Sequence, residues 1–414
     1  MKYLLSDDKI ADIRKYRSER VLDFIRSNDL DFLLIWDYGN TRYAFDIYTA
    51  FHYESSHAFH GYLISKEGVV SIILSASFES HPYAPGGLYD PAKPGTVWTV
   101  DPLVRSPGSE SYVRSVPKRY AKLVAEAIAE HGGAKRIGVD TFADFRAYQE
   151  LQKLVPNTEF IGVGFDLAKM RMYNCDEEVE LMEKSCEVHN RVVWQALSEC
   201  EPGWSDHKLS SRVAQLFALE ESVEKHCLNL TYSLNPGGAM GMIWSPIGFI
   251  YKDGDIASSD VGIMTYGGST TDYGRVRMLG TPSTELRDAY TWFHHNLHEL
   301  VAQVKPGMKC SDMVQMFIDA HAKRGLPLKH MLGHGIGTQM DEMPQLNPAH
   351  VQEYDAVLAE NMTLCIEPAC TVECPSNGLQ LLWTEDQWVM EKDGFRRLAP
   401  LSYFDIDDKD LATT

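Results

Sequence analysis

Five residues in the second half of the chain have a type and a setting that suit metal binding. Four are acids in apolar or glycine-rich surroundings and one is a histidine between glycines: Asp260, Asp272, His334, Glu367 and Glu385. A buried carboxylate without a partner is costly, and four carboxylates close together repel one another unless they are protonated or neutralised. A pair of divalent metal ions would neutralise them directly. Four carboxylates and one imidazole suit Mn(II), Fe(II), Co(II) or Zn(II), and are too rich in oxygen for a structural zinc site.

The two aspartates lie where the sequence predicts a hairpin. Asp260 follows a run typical of a strand, predicted at 256–264. Asp272 follows a Gly-Gly turn and leads into a second strand, predicted at 275–279. Two strands joined by a hairpin would bring both carboxylates to one place.

The other three candidates lie in short apolar or glycine-rich segments. Glu367 ends an apolar strand predicted at 363–367, and Glu385 lies within another predicted at 380–390. His334 stands in the run Gly-His-Gly-Ile-Gly, where glycine lets the backbone approach a ligand closely.

The rest of the pattern predicts two domains, an N-terminal domain over 1–164 and a catalytic domain over 165–414. Apolar periodicity predicts helices at 9–28, 117–131, 143–154, from 174 or 175 onward, 205–221, 282–303 and 311–324. Further strands are predicted at 31–37, 61–74 (two, joined by a turn), 136–140, 159–164, 228–233 and 247–251. Residues 83–109 are rich in proline and glycine and are predicted to be loop.

Composition restricts the class of protein. A hydrophobic content of 44% and an aromatic content of 11% are ordinary for a globular enzyme. The formal net charge of -19 makes nucleic acid an unsuitable partner. None of the eight cysteines precedes residue 175, which disfavours a disulfide framework and favours reduced thiols in a cytoplasmic protein. The sequence has neither the apolar core of a signal peptide at its start nor an apolar run of membrane-spanning length, so we expect no membrane partner.

The candidate ligands, in this order, resemble the pattern of the pita-bread superfamily, which includes methionine aminopeptidase, Xaa-Pro aminopeptidase, prolidase and creatinase. That pattern is Asp, Asp, His, Glu, Glu across a duplicated α/β half, and the resemblance covers about residues 165 to 400. The segment Asn-Thr-Arg-Tyr-Ala-Phe-Asp-Ile-Tyr (40–48) is also similar to the Asn-x-x-Tyr segment of creatinase and prolidase N-terminal domains.

The resemblance implies a fold, a metal centre and an assembly. The fold would be α+β, with a creatinase-like N-terminal α/β domain followed by a pita-bread catalytic domain. Asp272 and Glu385 would bridge two divalent transition metal ions; Asp260 would complete the ligands of one, and His334 with Glu367 those of the other. Segment 40–62 resembles a region that closes the active site of a neighbouring subunit in creatinase-like enzymes, so we expect a homodimer.

Two positions depart from that pattern. Peptidases of the superfamily usually carry two further active-site histidines, one of them seven residues after the metal-binding histidine, where this chain has Asp341. The other belongs around 230–241, which contains no histidine. An imidazolium can donate to a developing oxyanion, whereas an ionised carboxylate repels it. A carboxylate is suited instead to remove a proton from a metal-bound substrate. The alternative is a surface acid beside Glu342, with His330 or His350 in the histidine's role.

Three functions follow. The main hypothesis is a non-peptidase lyase that acts on a small carboxylated molecule with Asp341 as its base, as in the pita-bread dimethylsulfoniopropionate lyases, whose site chemistry this chain resembles most. The first alternative is a metallopeptidase of the Xaa-Pro aminopeptidase or prolidase type, or a creatinase-type small-molecule hydrolase. The second is a metal-free binding protein on the same fold. The complete ligand set speaks against the binding protein, and the missing histidines speak against an ordinary peptidase.

Overall fold

The computed structural model describes residues 2–46, 61–68, 70–75, 88, 97–101, 110–141, 145–224, 246, 248–329, 331–400 and 402–404. The chain folds as two compact units, an N-terminal unit, Ser6–Met170, and a C-terminal unit, Met1–Leu5 with Arg171–Thr414. The domain boundary predicted between residues 164 and 165 stays a prediction. No helix in the described ranges combines the length and the apolarity that crossing a membrane requires.

The N-terminal unit is a six-stranded sheet with helices on both faces. Its strands follow the order β4-β3-β2-β1-β5-β6, with β1–β2 and β2–β3 antiparallel and the other pairs parallel. The strands are β1 (Phe32–Ile35), β2 (Gly61–Ser65), β3 (Val70–Ser75), β4 (Val97–Asp101), β5 (Arg136–Val139) and β6 (Glu159–Gly162). The helices are α1 (Asp7–Ser27), α2 (Tyr38–Phe45), α3 (Glu110–Glu130), α4 (Phe145–Leu154) and α5 (Gly164–Arg171).

Strand β1 shows why this sheet is covered twice. Leu33 packs with Ile25 of α1, whereas the neighbouring Leu34 packs in another cluster with Val124 of α3. Successive side chains of a strand point to opposite faces, so an uninterrupted apolar run such as Phe-Leu-Leu-Ile needs a helix layer on each side.

The prediction of loop over 83–109 is wrong at Val97–Asp101, which forms β4 in parallel pairing with β3. The run Val-Trp-Thr-Val is β-branched and aromatic, which favours a strand, but its proline- and glycine-rich flanks dominate the composition of the window. Apart from this strand and Leu88, the segment lies outside the described residues. The helix predicted from residue 117 begins at Glu110, because it contains Pro117 rather than starting there.

The C-terminal unit combines three sheets with flanking helices. A five-stranded sheet has the order β10-β9-β11-β14-β15, and two hairpins, β7–β8 and β12–β13, form two-stranded sheets. The strands are β7 (Ile256–Thr265), β8 (Ser269–Met278), β9 (Gly333–Gly335), β10 (Glu342–Leu346), β11 (Thr363–Ile366), β12 (Ala369–Cys374), β13 (Gly378–Trp383), β14 (Asp386–Glu391) and β15 (Gly394–Arg397). The helices are α6 (Asp176–Glu199), α7 (Asp206–Leu219), α8 (Thr284–Val301), α9 (Cys310–Arg324) and α10 (His350–Glu353).

Three predicted strands of this unit differ from the structure. The strand predicted at 275–279 begins at Ser269, because the turn before it takes only the three residues Tyr266, Gly267 and Gly268. The strand predicted at 380–390 is two strands, β13 and β14, separated at Thr384 and Glu385. The prediction at 247–251 is wrong over its described residues, 248–251, where Ile250 forms only an isolated bridge. The strand predicted at 228–233 lies outside the described residues.

Candidate metal centre

The hairpin β7–β8 brings the two candidate aspartates together. Asp260 pairs with Gly274, and Asp272 pairs with Gly262. Residues opposite each other in an antiparallel pair share a face, and so do residues two apart in one strand. Asp260 and Asp272 are therefore diagonal neighbours on one face. The hairpin closes where the sequence predicts it, at Gly267 and Gly268, which have φ values of 102° and 77° and fit a turn that other residues adopt poorly.

The five-stranded sheet supplies the other three candidates. In register, Cys365 of β11 lies between His334 of β9 and Gln387 of β14. The two-residue period of a strand places Glu367, two residues beyond Cys365, and Glu385, two residues before Gln387, on that same face. The residues that alternate with these along β11 and β14 point to the opposite face of the sheet. Leu364, Ile366, Trp388 and Met390 on that face belong to the main apolar core.

A short backbone bridge joins the hairpin to the sheet. Gly274 N donates to Glu385 O at 3.2 Å, and Glu385 N donates to Gly274 O at 3.1 Å. The ring of Trp383 lies so close to the backbone of Gly274 that an added methyl group would overlap it. Glycine at this position lets the strand carrying Asp272 approach the strand break that carries Glu385.

The five side chains converge on one point. His334 Nε2 lies 3.8 Å from an oxygen of Asp272, 3.6 Å from one of Glu367 and 3.7 Å from one of Glu385. Asp260, Asp272 and Glu385 place their ligand atoms within 4.8 Å of one another, and so do His334, Cys365 and Glu385. The two groups share Glu385, whose carboxylate therefore lies between them.

The histidine is oriented to offer one ring nitrogen. His334 Nδ1 lies 2.9 Å from Gly335 O. A carbonyl oxygen can only accept a hydrogen bond, so this contact places the imidazole proton on Nδ1. The lone pair of Nε2 then points toward the acids, as in metal-binding histidines generally.

The electrostatic environment of the cluster favours bound cations. Burial raises the pKa of Asp260, Asp272, Glu367 and Glu385 well above the ordinary range. Repulsion adds to the effect: the charge of Asp260 raises the pKa of each of the other three. Glu385 Oε1 is buried and accepts no hydrogen bond from any residue that the structure describes. A carboxylate group with these properties fits divalent ions, which neutralise the charge and fill the open acceptor position.

Asp341 lies beside this cluster. Its charge raises the pKa of Asp272 and of Glu367, in each case as a smaller cause than burial. Unlike the five buried candidates, it is exposed. Gln345 Nε2 donates to Asp341 Oδ1, and Gln345 pairs in register with His334. The structure thus places a solvent-accessible carboxylate at the edge of the candidate centre.

The loop before Asp341 is anchored by a buried ion pair that the sequence patterns did not indicate. Arg171 Nε donates to Glu342 Oε2 at 3.1 Å, and both side chains are buried. The other oxygen of Glu342 accepts from Gln339 N at 2.7 Å and from Thr338 Oγ1 at 3.1 Å. These contacts hold the backbone on both sides of Asp341, from Thr338 to Glu342.

The sequence patterns also did not indicate two other residues on the ligand face. Gln387 Oε1 accepts from Asp272 N at 3.1 Å and so holds the backbone of a candidate ligand. Cys365 belongs to one of the two ligand groups. Alternation along the strands containing Glu367 and Glu385 could have indicated both. Of the histidines considered as replacements for the missing one, His350 is exposed on α10, whereas His330 and the segment 230–241 lie outside the described residues.

Comparison with known proteins identifies the family. Residues 180–392 match the model of metallopeptidase family M24, and residues 17–173 match that of the creatinase/prolidase N-terminal domain. The chain belongs to metallopeptidase family M24. As an M24 protein it is a metal-dependent enzyme, and the prediction of a centre of two divalent ions is confirmed. The predicted α+β fold, with a creatinase-like domain before a pita-bread domain, is also confirmed.

The M24 chain has relatives of similar length. It is 25% identical over 344 residues to the Xaa-Pro dipeptidase of Pyrococcus horikoshii, covering 81% of this chain and 92% of that one. It is 23% identical to the Xaa-Pro dipeptidase of Pyrococcus furiosus, covering 62% of this chain and 78% of that one.

Solved structures show the same fold. The prolidase of Pyrococcus horikoshii superposes with a TM-score of 0.72 at 20% identity, covering 94% of this chain and 99% of that one. The X-Pro aminopeptidase of Thermotoga maritima gives 0.73 at 19% identity, with the same coverage. All of these matches are named as peptidases, and the expected closeness to dimethylsulfoniopropionate lyases stays a prediction.

Proposed function

We propose that this chain hydrolyses dipeptides of the Xaa-Pro type at a centre of two divalent metal ions. The observation that carries the proposal is the convergence of five buried ligand side chains in a chain whose M24 relative over 81% of its length is named an Xaa-Pro dipeptidase. The lyase hypothesis, which the sequence favoured, gains no support from these relatives and becomes the second candidate.

The ligands divide between the two ions as follows in this proposal. Asp272 and Glu385 would bridge the ions, Asp260 would complete the first ion's ligands, and His334 with Glu367 would complete the second's. Supporting this division, Asp260 groups with both bridging residues, whereas His334 lies nearest Glu367. When bound, such a pair of ions polarises a carbonyl oxygen and activates water as a nucleophile.

Asp341 has a role in peptide hydrolysis that differs from that of the histidine it replaces. An ionised carboxylate repels a developing oxyanion, but it binds the ammonium group of a free amino terminus through a charge-assisted hydrogen bond. Asp341 is exposed and lies at the edge of the ligand cluster. In this proposal it holds the amino terminus of the dipeptide, which selects short substrates with a free amine.

The second candidate function is proton abstraction by Asp341 from a small carboxylated molecule with a good leaving group, such as a sulfonium. The observation that favours it is the electrostatic effect of Asp341 on Asp272 and Glu367, which places a carboxylate next to the proposed ligands. A general base must lie within hydrogen-bonding reach of the proton that it removes, and a substrate carboxylate bound at the centre would lie at that edge.

Substrate assays separate these functions. Protein loaded separately with Mn(II), Co(II), Zn(II) and Fe(II) is incubated with an Xaa-Pro dipeptide, with the same dipeptide carrying alanine in place of proline, and with a β-sulfonium carboxylate. The proposal expects cleavage of the proline dipeptide in preference to the other two. Protein that holds two ions per chain and leaves the proline dipeptide intact overturns it, and elimination of the sulfonium group by that protein establishes the second candidate.

A further inference from the structure

A thiol lies on the ligand face of the five-stranded sheet. Cys365 of β11 is fully buried and is paired in register with His334 on one side and Gln387 on the other. Since Glu367 follows it by two residues, its side chain points to the same face as that candidate ligand. The Sγ atom lies 3.7 Å from Asp272 O, so the thiol reaches across to the hairpin that carries the aspartates.

The spacing of three donor atoms is close to that of one coordination sphere. Ligand atoms of His334, Cys365 and Glu385 all lie within 4.8 Å of one another. Donor atoms bound to one ion at about 2.0 to 2.3 Å lie up to about 4.5 Å apart. Glu385 Oε1, in the same group, is buried and has no hydrogen-bond partner among the described residues. The Cys365 thiol neighbours the Glu385 carboxylate, so a cation that binds this carboxylate lies within reach of the sulfur.

Another buried cysteine near this site provides a contrast. Cys186 of α6 packs in the same apolar cluster as Cys365 and is equally buried. Its Sγ donates to Gln387 Oε1 at 3.2 Å, and it belongs to neither ligand group found among the described residues. Burial near the site therefore does not by itself bring a thiol into a ligand group, and Cys365 differs by its position in the sheet register.

We propose that Cys365 is a sixth ligand of the dinuclear centre, binding the ion held by His334 and Glu367. This inference rests on the ligand assignment proposed above. On binding, the Cys365 thiol releases its proton to solvent and a sulfur–metal bond forms, with no change in oxidation state. Because thiolate is a soft ligand, this second site prefers thiophilic ions such as Co(II), Zn(II) and Cd(II) over Mn(II) by a wider margin than the all-carboxylate first site does.

Cobalt absorption tests the sulfur–metal bond directly. Metal-free wild type, Cys365→Ser and Cys186→Ser are each titrated with Co(II), while near-ultraviolet absorption and bound cobalt are measured. We expect thiolate-to-cobalt charge-transfer absorption in wild type and Cys186→Ser and its complete loss in Cys365→Ser. Two bound cobalt ions without this absorption in the wild type overturn the inference, and so does absorption that persists in a folded Cys365→Ser variant.

A second measurement needs no variant. X-ray absorption of the Zn(II)-loaded wild type should show a sulfur neighbour at about 2.3 Å, with one sulfur for every two zinc ions. A shell of nitrogen and oxygen alone refutes ligation by Cys365 and leaves the five-ligand centre intact. If the wild type binds neither cobalt nor zinc, the ligand assignment itself fails, so the two proposals fail in different ways.

Discussion

Asp341 is the residue at which the two candidate functions differ. If it holds the substrate's ammonium group, Asp341→Asn loses a charge-assisted hydrogen bond, and KM for an Xaa-Pro dipeptide rises about 10-fold or more while kcat changes little. If it is the base of an elimination, kcat falls about 100-fold or more with little change in KM. Steady-state kinetics with both substrates show whether the variant changes KM or kcat. The exposed Glu353→Gln of α10 serves as a control that should match the wild type.

Asp272 and Glu385, the proposed bridging carboxylates, test the ligand assignment through metal content. Asp272→Ala and Glu385→Ala each remove a ligand shared by both ions in the proposed centre, so we expect either variant to lose most of its metal and all activity. Elemental analysis of purified protein gives the number of ions per chain, which should be close to two in the wild type. The exposed Asp288→Ala of α8 is the matched control. Unchanged metal in both bridging variants contradicts the assignment.

His189 makes the fold sensitive to acid. It is buried on α6 with Nδ1 2.7 Å from Thr271 Oγ1, and burial lowers its pKa to about 3. Below about pH 6.5 the unfolded chain binds a proton at this imidazole that the folded chain does not bind until near pH 3, so acidification favours unfolding. Relative to His189→Gln, the wild type should lose about 1.4 kcal/mol of unfolding free energy per pH unit between about pH 6 and pH 4.

Urea unfolding at several pH values measures that difference. The exposed His207 gives the control variant His207→Gln, which separates the effect of the buried position from the loss of a histidine as such. A difference between the wild type and His189→Gln that does not change with pH would show that the His189 imidazole takes up its proton equally in the folded and the unfolded chain.

At the scale of elements, the junction between the hairpin and the sheet depends on Gly274. A methyl group there would overlap the ring of Trp383, so Gly274→Ala must push β8 away from the strand break at Glu385. We expect a loss of about 1 to 3 kcal/mol in unfolding free energy, as for overpacked cores, together with weaker metal binding. Gly162→Ala, where an added Cβ meets nothing within 4 Å, is the control. Full metal content in Gly274→Ala would show that the junction tolerates displacement.

Local patterns predicted those parts of the C-terminal unit that depend on neighbouring residues in sequence. The hairpin of Asp260 and Asp272 follows from strand-forming runs around a Gly-Gly turn, and the structure contains it. The pattern did not predict Cys365 or the break before Asp386, because both depend on which strands pair and in what register. An apolar run such as Thr-Leu-Cys-Ile predicts a strand buried on both faces. Only its pairing with His334 of the neighbouring strand shows that one of these faces is polar.

The sequence patterns did not predict the Arg171–Glu342 ion pair, for a similar reason. Its members are far apart in the sequence, and each alone is an ordinary charged residue. Their burial becomes visible only when the start of the C-terminal unit meets the loop before Asp341. Charged residues are almost never buried without a partner, but a single sequence does not indicate which charges pair.

At the scale of the whole molecule, we propose that the enzyme is a homodimer. The reason is the resemblance of segment 40–62 to a region that closes a neighbouring active site; Asn40–Asp46 belong to the described residues, whereas 47–60 do not. Light scattering should give a mass near twice the 46.7 kDa of one chain. A mass of 46.7 kDa at micromolar concentration would contradict the proposal.

The alternation along β11 has a consequence for how this gene can change. Leu364 and Ile366 face the apolar core while Cys365 and Glu367 face the ligand cluster. A codon deleted between Thr363 and Glu367 shifts the following residues by one position and exchanges the two faces. If the deleted codon is that of Leu364 or Cys365, Ile366 would then lie beside the acids, and the Glu367 carboxylate would lie in the core, where an unpaired charge is severely destabilising. We therefore expect this strand to accept substitutions but no change in length.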